Sequence, residues 1–330
     1  MRVLVTGATS LLGRVVVGRL TGRGDDVTVF QRRPADLGVA EHLGDVADRA
    51  AVVAAMAGAE GVIHLAARAT VTGSWQQFES TNVIGTRNAL DVASAEGVDR
   101  FVHVSSPSVA HAGRSLVGEA AGPADPDRAR GHYARSKAQA ELIAQAANST
   151  SLAVVAIRPH LIWGPGDTQL VERIVSRARG GRLAIVGSGA SLIDTTYVDN
   201  AADALVAALD RAPELGGRAL VVTNGQPRPV RELLNRIVLA AGLEPPRVKV
   251  PYRVARTSGL VVERIWERQR REDDPPMTSF LAEQLGTAHW FDQRETRRAL
   301  SWEPVVSLDE GFRRLNAWYE TGGAGSARRG

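Results

Sequence analysis

Five short runs of mostly apolar, β-branched residues punctuate the first half of the chain, each flanked by segments with helical spacing: RVLVTG (2–7), DVTVF (26–30), GVIHLAA (61–67), RFVHVSS (100–106) and LAVVAIRP (152–159). This alternation constrains the fold more than any other feature. Strands that are apolar almost throughout, rather than at every second residue, belong to a parallel sheet buried on both faces. Parallel neighbours need crossovers, and right-handed helical crossovers wind such a sheet in two directions. The expected class is α/β, a doubly wound parallel sheet.

After Pro159 the pattern loosens into short helices, prolines and isolated strands, as in a smaller C-terminal substrate-binding lobe. The expected division assigns 1–165 to the sheet domain, with 191–224 returning to it. The lobe takes 166–190 and 225–320, and 321–330 (TGGAGSARRG) reads as a disordered tail. A chain of 330 residues, 44% hydrophobic, buries a core of that size in one large domain or two joined ones.

Several function classes are excluded by composition. Without cysteine there is no disulfide framework, thiol nucleophile or thiolate metal site, and no metal is expected. A net charge of +4, with arginines interspersed among Asp and Glu, argues against nucleic acid as a partner. No run of 18 apolar residues occurs, and MRVLVTGAT opens as a strand rather than a signal peptide, so a cytoplasmic location is expected.

The segment VTGATSLLGRVVV places Gly7 and Gly13 as first and last glycines of a G-x-x-G-x-x-G loop between strand and helix, with Ser10 in the middle position. Such a loop turns tightly and points a helix N-terminus at a pyrophosphate, the mark of a Rossmann-type dinucleotide site. Thr9, Ser10, Leu11 and Leu12 complete it. Asp45, followed by Val46, comes just after the third strand position, where a carboxylate reaches an adenine amino group; in isolation it reads equally well as a helix N-cap. Leu65, Ala66 and Ala67 are small or apolar residues beside the cofactor. The second strand ends in Gln31, Arg32 and Arg33 instead of the acid that would bind a ribose 2′-hydroxyl. Guanidinium groups suit a 2′-phosphate, so NADP(H) is the preferred cofactor, with NAD(H) as the alternative.

Of 40 basic residues only two are lysines, and one of them, Lys137, stands four positions after Tyr133 in GHYARSKAQAE. At that spacing both lie on one helix face. A neighbouring cation favours phenolate and moves a phenol toward acid–base work. A compact ammonium can be shared between ribose hydroxyls and the phenol in a way a planar guanidinium cannot. Upstream, VHVSSPSVA ends a strand with Ser105 and Ser106, hydroxyls able to bind a carbonyl oxygen.

With glycine loop, strand-end serine and Tyr-x-x-x-Lys in that order, the chain resembles the extended short-chain dehydrogenase/reductases. RPHLIWGPGD (158–167), YVDNAADA (197–204) and HWFDQRETRRALSWEPVVSLDEGFRRLNAWYE look like the 3β-hydroxysteroid dehydrogenase/isomerase branch, closest to the 2-alkyl-3-oxoalkanoate reductases. The resemblance implies that Tyr133 is the acid/base, Lys137 lowers its pKa and holds the nicotinamide ribose, and Ser106 rather than Ser105 orients the carbonyl. Asn82 matches the active-site-side asparagine, and Pro159 lies near the carboxamide. Ser108, His160, Ile162 and Trp163 are the substrate-side candidates, His160 reading also as a packed histidine.

The function so implied is NAD(P)H-dependent interconversion of ketone and secondary alcohol on a hydrophobic substrate, a 2-alkyl-3-ketoacid or a 3β-hydroxysteroid. The alternatives are a nucleotide-sugar epimerase or dehydratase and a non-catalytic NADP-binding sensor or scaffold. SPSV after the strand lacks the carboxylate a dehydratase needs, while Tyr133 and Lys137 are both present, against the sensor. The expected assembly is a homodimer or a place in a biosynthetic complex. Residues 256–272 read as an amphipathic helix, with Leu260, Val261, Val262, Ile265 and Trp266 packing on the core and membrane-surface contact as the other reading.

Overall fold

The computed structural model describes residues 1–70, 72–110, 113–269 and 278–323. At its centre is a seven-stranded parallel sheet of β1 (Arg2–Thr6), β2 (Asp26–Gln31), β3 (Ala40–Leu43), β4 (Gly61–His64), β5 (Arg100–Val104), β6 (Ala153–Pro159) and β7 (Ala219–Val222). The spatial order is β7-β6-β5-β4-β1-β2-β3, so the winding reverses between β1 and β4. All five apolar runs become strands of this sheet. β3, exposed along its whole length, is an edge strand without an apolar signature.

Side chains alternate between two cores. On one face Val3, Val5, Val29, Ile63 and Val155 meet α1 (Leu11–Gly22) and the later helix Val198–Asp210 through Val16, Leu20, Leu205 and Leu209. On the other, Leu4, Phe30, Val62, Phe101 and Val154 meet α2 (Arg49–Met56), α3 (Gly85–Ala95) and α4 (Gly131–Ala146) through Met56, Leu90 and Ala144. Each such Val or Leu contributes about 1.5–3 kcal/mol on burial, so a register slip that exposed either face would be prohibitive.

The first core continues without a break into the lobe, where Val171, Leu233, Ile237, Phe312 and Leu315 join it. A small four-stranded sheet stands over one end of the large one, in the order Arg228–Pro229, Leu192–Ile193, His289–Phe291, Leu116–Glu119. Its strands come from four separated parts of the chain.

The helix Tyr252–Arg268 departs from the expected packing. Ala255 is buried against Val186 and Ala282, but Leu260, Val261 and Ile265 are exposed. Val262 and Trp266 are half-buried, so the helix docks through Ala255 with only part of its apolar stripe covered. Residues 270–272 of that segment and 324–330 of the expected tail lie outside the described residues. Among the described residues no helix is long and apolar enough to cross a membrane.

Candidate active site

In a doubly wound sheet the strand order reverses at a crevice beyond the carboxyl ends of the strands. Gln31 ends β2 there, and Gly7, Asp45, Ala66, Ser106 and His160 follow other strand ends. Gly7 has φ +74°, and a Cβ there would lie 2.9 Å from the Ala66 nitrogen. A Cβ on Gly13 would lie 2.7 Å from both Ala8 Cα and the Gly7 carbonyl oxygen, so α1 could not approach the loop so closely. Ser10 is the N-cap of α1. Its Oγ accepts from Gly13 N–H at 3.0 Å and donates to the Gly7 oxygen at 2.9 Å, so the serine in the middle glycine position braces the loop. The first-turn N–H groups of Leu11 and Leu12 have no intrahelical acceptors. A loop without a Cβ at Gly7, next to open helix donors, fits a dinucleotide pyrophosphate. Gly13→Ala, whose methyl meets backbone on two sides, is expected to destabilise the protein by about 1–3 kcal/mol. Cofactor affinity should weaken with it; thermal unfolding and cofactor titration read the two effects.

After β3, Asp45 accepts from Ala47 N–H at 2.9 Å, while the α2 N-cap is Asp48, which accepts from Ala50 N–H at 2.9 Å. Asp45 is therefore not the cap. Val46 is buried beneath it and Thr9 is exposed. Gln31 is buried, and its amide donates to Glu41, which also accepts from Ala35 N–H at 2.8 Å. The carboxylate on β3 escaped the sequence reading because it precedes a strand end rather than ending one. Gln31 Oε1 has no hydrogen-bond partner. Arg32 and Arg33 are exposed and make no ion pair among the described residues.

At the other end of the crevice, Ser106 stands close enough to Tyr133 for its hydroxyl to pull the phenol pKa down, against the effect of burial. Ser106 Oγ also lies 2.9 Å from Ser108 Oγ. Ser105 is buried, with its hydroxyl unpartnered, and is not part of this contact. Lys137, one turn beyond Tyr133 on α4, is buried and donates to the Val104 carbonyl at 2.6 Å. Burial lowers its pKa to about 8, and the Glu141 charge opposes that fall. Burial raises the Tyr133 phenol, with Ser106 acting the other way. That direction is the reverse of the lowering expected from the Tyr–Lys spacing, because loss of water around the phenol outweighs the other influences on it.

Asn82 lies in a π-helical turn, Glu79–Ile84, leading into α3. Its Oδ1 accepts from Arg68 N–H at 2.7 Å, and its Nδ2 donates to Arg68 O at 3.1 Å and Ser136 Oγ at 2.9 Å. It ties the loop after β4 to α4. His64 bridges Thr6 (2.9 Å) and Thr86 (3.1 Å), and Ala66 N–H donates to Thr6 Oγ1 at 3.1 Å, fixing the Leu65–Ala67 corner. His64 stacks on His103, ring centroids 5.9 Å apart. Burial, then the Lys137 charge, takes His64 down to about 3 and keeps His103 well below its usual range. Sequence reasoning missed this polar layer, although histidines in otherwise apolar strands were a visible signal.

Beyond β6, which ends at Pro159, His160 Nδ1 lies 2.6 Å from the Asp194 carbonyl, its ring edge-on to Phe291. Ile162 is half-buried. Trp163 is corrected from the substrate set: it is 1% exposed, stacked on Phe312 at 4.6 Å, and its N–H donates to Thr195 at 2.9 Å. The indole belongs to the core that continues from the sheet. A cavity of about 200 Å³ opens beside the turn after β5, lined by Pro107, Val109, Leu116, Ala121 and Phe291 together with the charged Arg114, Glu119, Asp125 and Arg128.

A parallel sheet with this order, a glycine loop at its switch point and a Ser–Tyr pair one helical turn from a buried lysine define a class: nicotinamide-dinucleotide enzymes acting on CH–OH groups, the extended short-chain dehydrogenase/reductases. The chain belongs to the NAD dependent epimerase/dehydratase family, whose model matches residues 3–222. It is 42% identical to a 2-alkyl-3-oxoalkanoate reductase of Stenotrophomonas maltophilia, over 96% of this chain and 99% of that one. It is 29% identical to the human sterol-4-alpha-carboxylate 3-dehydrogenase, decarboxylating, over 95% and 87%. Among solved structures, MoeE5 in complex with UDP-glucose and NAD superposes with a TM-score of 0.75 at 24% identity, over 98% and 99% of the two chains.

Proposed function

We propose that this protein is an NADPH-dependent ketoreductase that reduces the 3-oxo group of a 2-alkyl-3-oxoalkanoate to a secondary alcohol. The observation behind this reading is the Ser106–Tyr133 hydroxyl pair at the end of β5. Two converging hydroxyls grip one carbonyl oxygen, and a phenol held protonated by burial is a proton donor suited to reduction. Ser106 donates to the oxygen and polarises the carbonyl. Tyr133 delivers the proton to that oxygen as it becomes an alkoxide. Lys137 swings from Val104 to the ribose hydroxyls, and Asn82 holds α4 in place. The loop Gly7–Gly13, with Asp45 and Ala66, would hold the dinucleotide, which supplies a hydride when bound. The name borne by the 42% relative supports an alkyl-bearing substrate.

The test is NADPH oxidation with a panel of 2-alkyl-3-oxoalkanoates, 3-ketosteroids and UDP-sugars. Turnover confined to the sugars would sink this reading in favour of an epimerase or dehydratase. For the cofactor, the unpaired Arg32 and Arg33 support NADP(H). One charge-assisted contact to a 2′-phosphate contributes about 1.5–3 kcal/mol, roughly a tenfold preference or more. Arg32→Ser/Arg33→Ser should lose that preference through a higher KM for NADPH with NADH kinetics unchanged. Equal catalytic efficiency of the unaltered protein with both cofactors would count against it.

A further inference from the structure

Charged side chains are rarely fully buried, and a buried ion pair is often no more stabilising than apolar residues of the same volume. Arg158 on β6 and Glu141 on α4 nevertheless form an ion pair with both side chains 0% exposed. Arg158 Nε donates to Glu141 Oε2 at 2.8 Å, Nη2 donates to Oε1, and Nη1 donates to the Ala121 carbonyl in the cavity wall. Tyr133, Lys137 and Glu141 follow at intervals of four on α4, so one helix face presents phenol, ammonium and carboxylate in turn.

The groups around Lys137 leave Glu141 as its counter-charge. His64 from β4 and His103 from β5 face the ammonium, and both are neutral. Tyr133 is neutral, and β5 offers the Val104 carbonyl, a dipole rather than a charge. Arg158 reaches α4 from β6 by way of the carboxylate. We propose that Glu141 is a positioning residue for Lys137: clamped by Arg158, its carboxylate is held on the same helix face, one turn beyond the lysine, and its charge keeps the ammonium protonated in a buried site. The inference rests on the reading of Tyr133 and Lys137 given above. It also explains why an ion pair stands where apolar side chains would pack.

Because the chain has only two lysines, the ammonium can be read without any turnover. In protein carrying ¹³C-labelled lysine, NMR titration reports Lys137 and the exposed Lys249, the latter assigned with Lys249→Arg. Glu141→Gln should lower the Lys137 midpoint by about one unit or more and leave Lys249 unmoved. Since Glu141→Gln strands the Arg158 charge and can unfold the chain, Glu141→Leu/Arg158→Met provides the second arm, restoring packing without the carboxylate. The same drop in that variant supports the proposal, as does partial recovery in Glu141→Asp. A folded double variant whose Lys137 midpoint equals that of the unaltered protein would overturn it. Should the midpoint fall while the unaltered protein reduces no 2-alkyl-3-oxoalkanoate, the positioning role stands and the substrate assignment alone fails.

Discussion

Tyr133→Phe is expected to lower ketone reduction by about 10²- to 10⁴-fold, the usual worth of a positioned proton donor, with cofactor affinity nearly unchanged. The ring remains and only the hydroxyl beside Ser106 is lost, far from the glycine loop. Steady-state kinetics and a cofactor titration separate the two effects; near-normal turnover would show that this hydroxyl is not the donor. The pH profile adds a second check. Because the phenol is raised, it stays protonated through neutrality and does not limit reduction there. Lys137, at about 8, loses its charge first. The alkaline fall in kcat/KM is therefore expected near pH 8, and its midpoint belongs to the lysine.

Replacing Lys137 should be almost as costly to turnover and should act on stability in the opposite direction. Lys137→Arg keeps the charge, but a planar guanidinium has no room where the ammonium meets Val104 O at 2.6 Å, and a loss of two orders of magnitude or more is expected, at about the scale of the donor itself. Lys137→Met removes the charge in similar volume and should raise Tm at pH 7. The sign follows from linkage. The folded-state pKa of about 8 lies below the ordinary lysine value of 10.5, so between those values the unfolded chain binds more protons and stability rises with pH. Below pH 8 the whole cost of burying the ammonium is present. The Tm advantage of Lys137→Met is thus expected to be largest at neutral pH and to shrink as pH rises from 8 to 10.5. A Tm at pH 7 below that of the unaltered protein would count against this account.

Much of the molecule could be read from local pattern. A parallel strand buried on both faces must be apolar throughout, so β1, β2, β4, β5 and β6 stood out unaided, and their regular alternation with helices left one architecture. Gly7 and Gly13 were legible because their chemistry is local: a positive φ in one and a Cβ with nowhere to go in the other. Tyr133 and Lys137 were legible because four residues make one helical turn. The placing of Ser106 rather than Ser105 opposite Tyr133 needed the resemblance to a family, since both serines end the same strand.

What tertiary structure alone decided are the pairings between residues distant in sequence. Trp163 stands beside a strand end and reads as a cleft residue until Phe312, about 150 positions later, stacks on it and Thr195 takes its N–H. Asn82 matches an active-site position, yet its amide is consumed by Arg68 and Ser136. Gln31 ends its strand as expected, but Glu41 on the next strand engages it. Arg158 went unread in its apolar strand, and only the packing of α4 on β6 shows that it is buried and paired with Glu141. The sign of the Tyr133 shift belongs to the same class. Sequence spacing brings the ammonium to the right helix face, but the direction in which it points and the water removed from the phenol are set by neighbouring strands, because desolvation and hydrogen bonding depend on the whole enclosure and not on the interval between two residues.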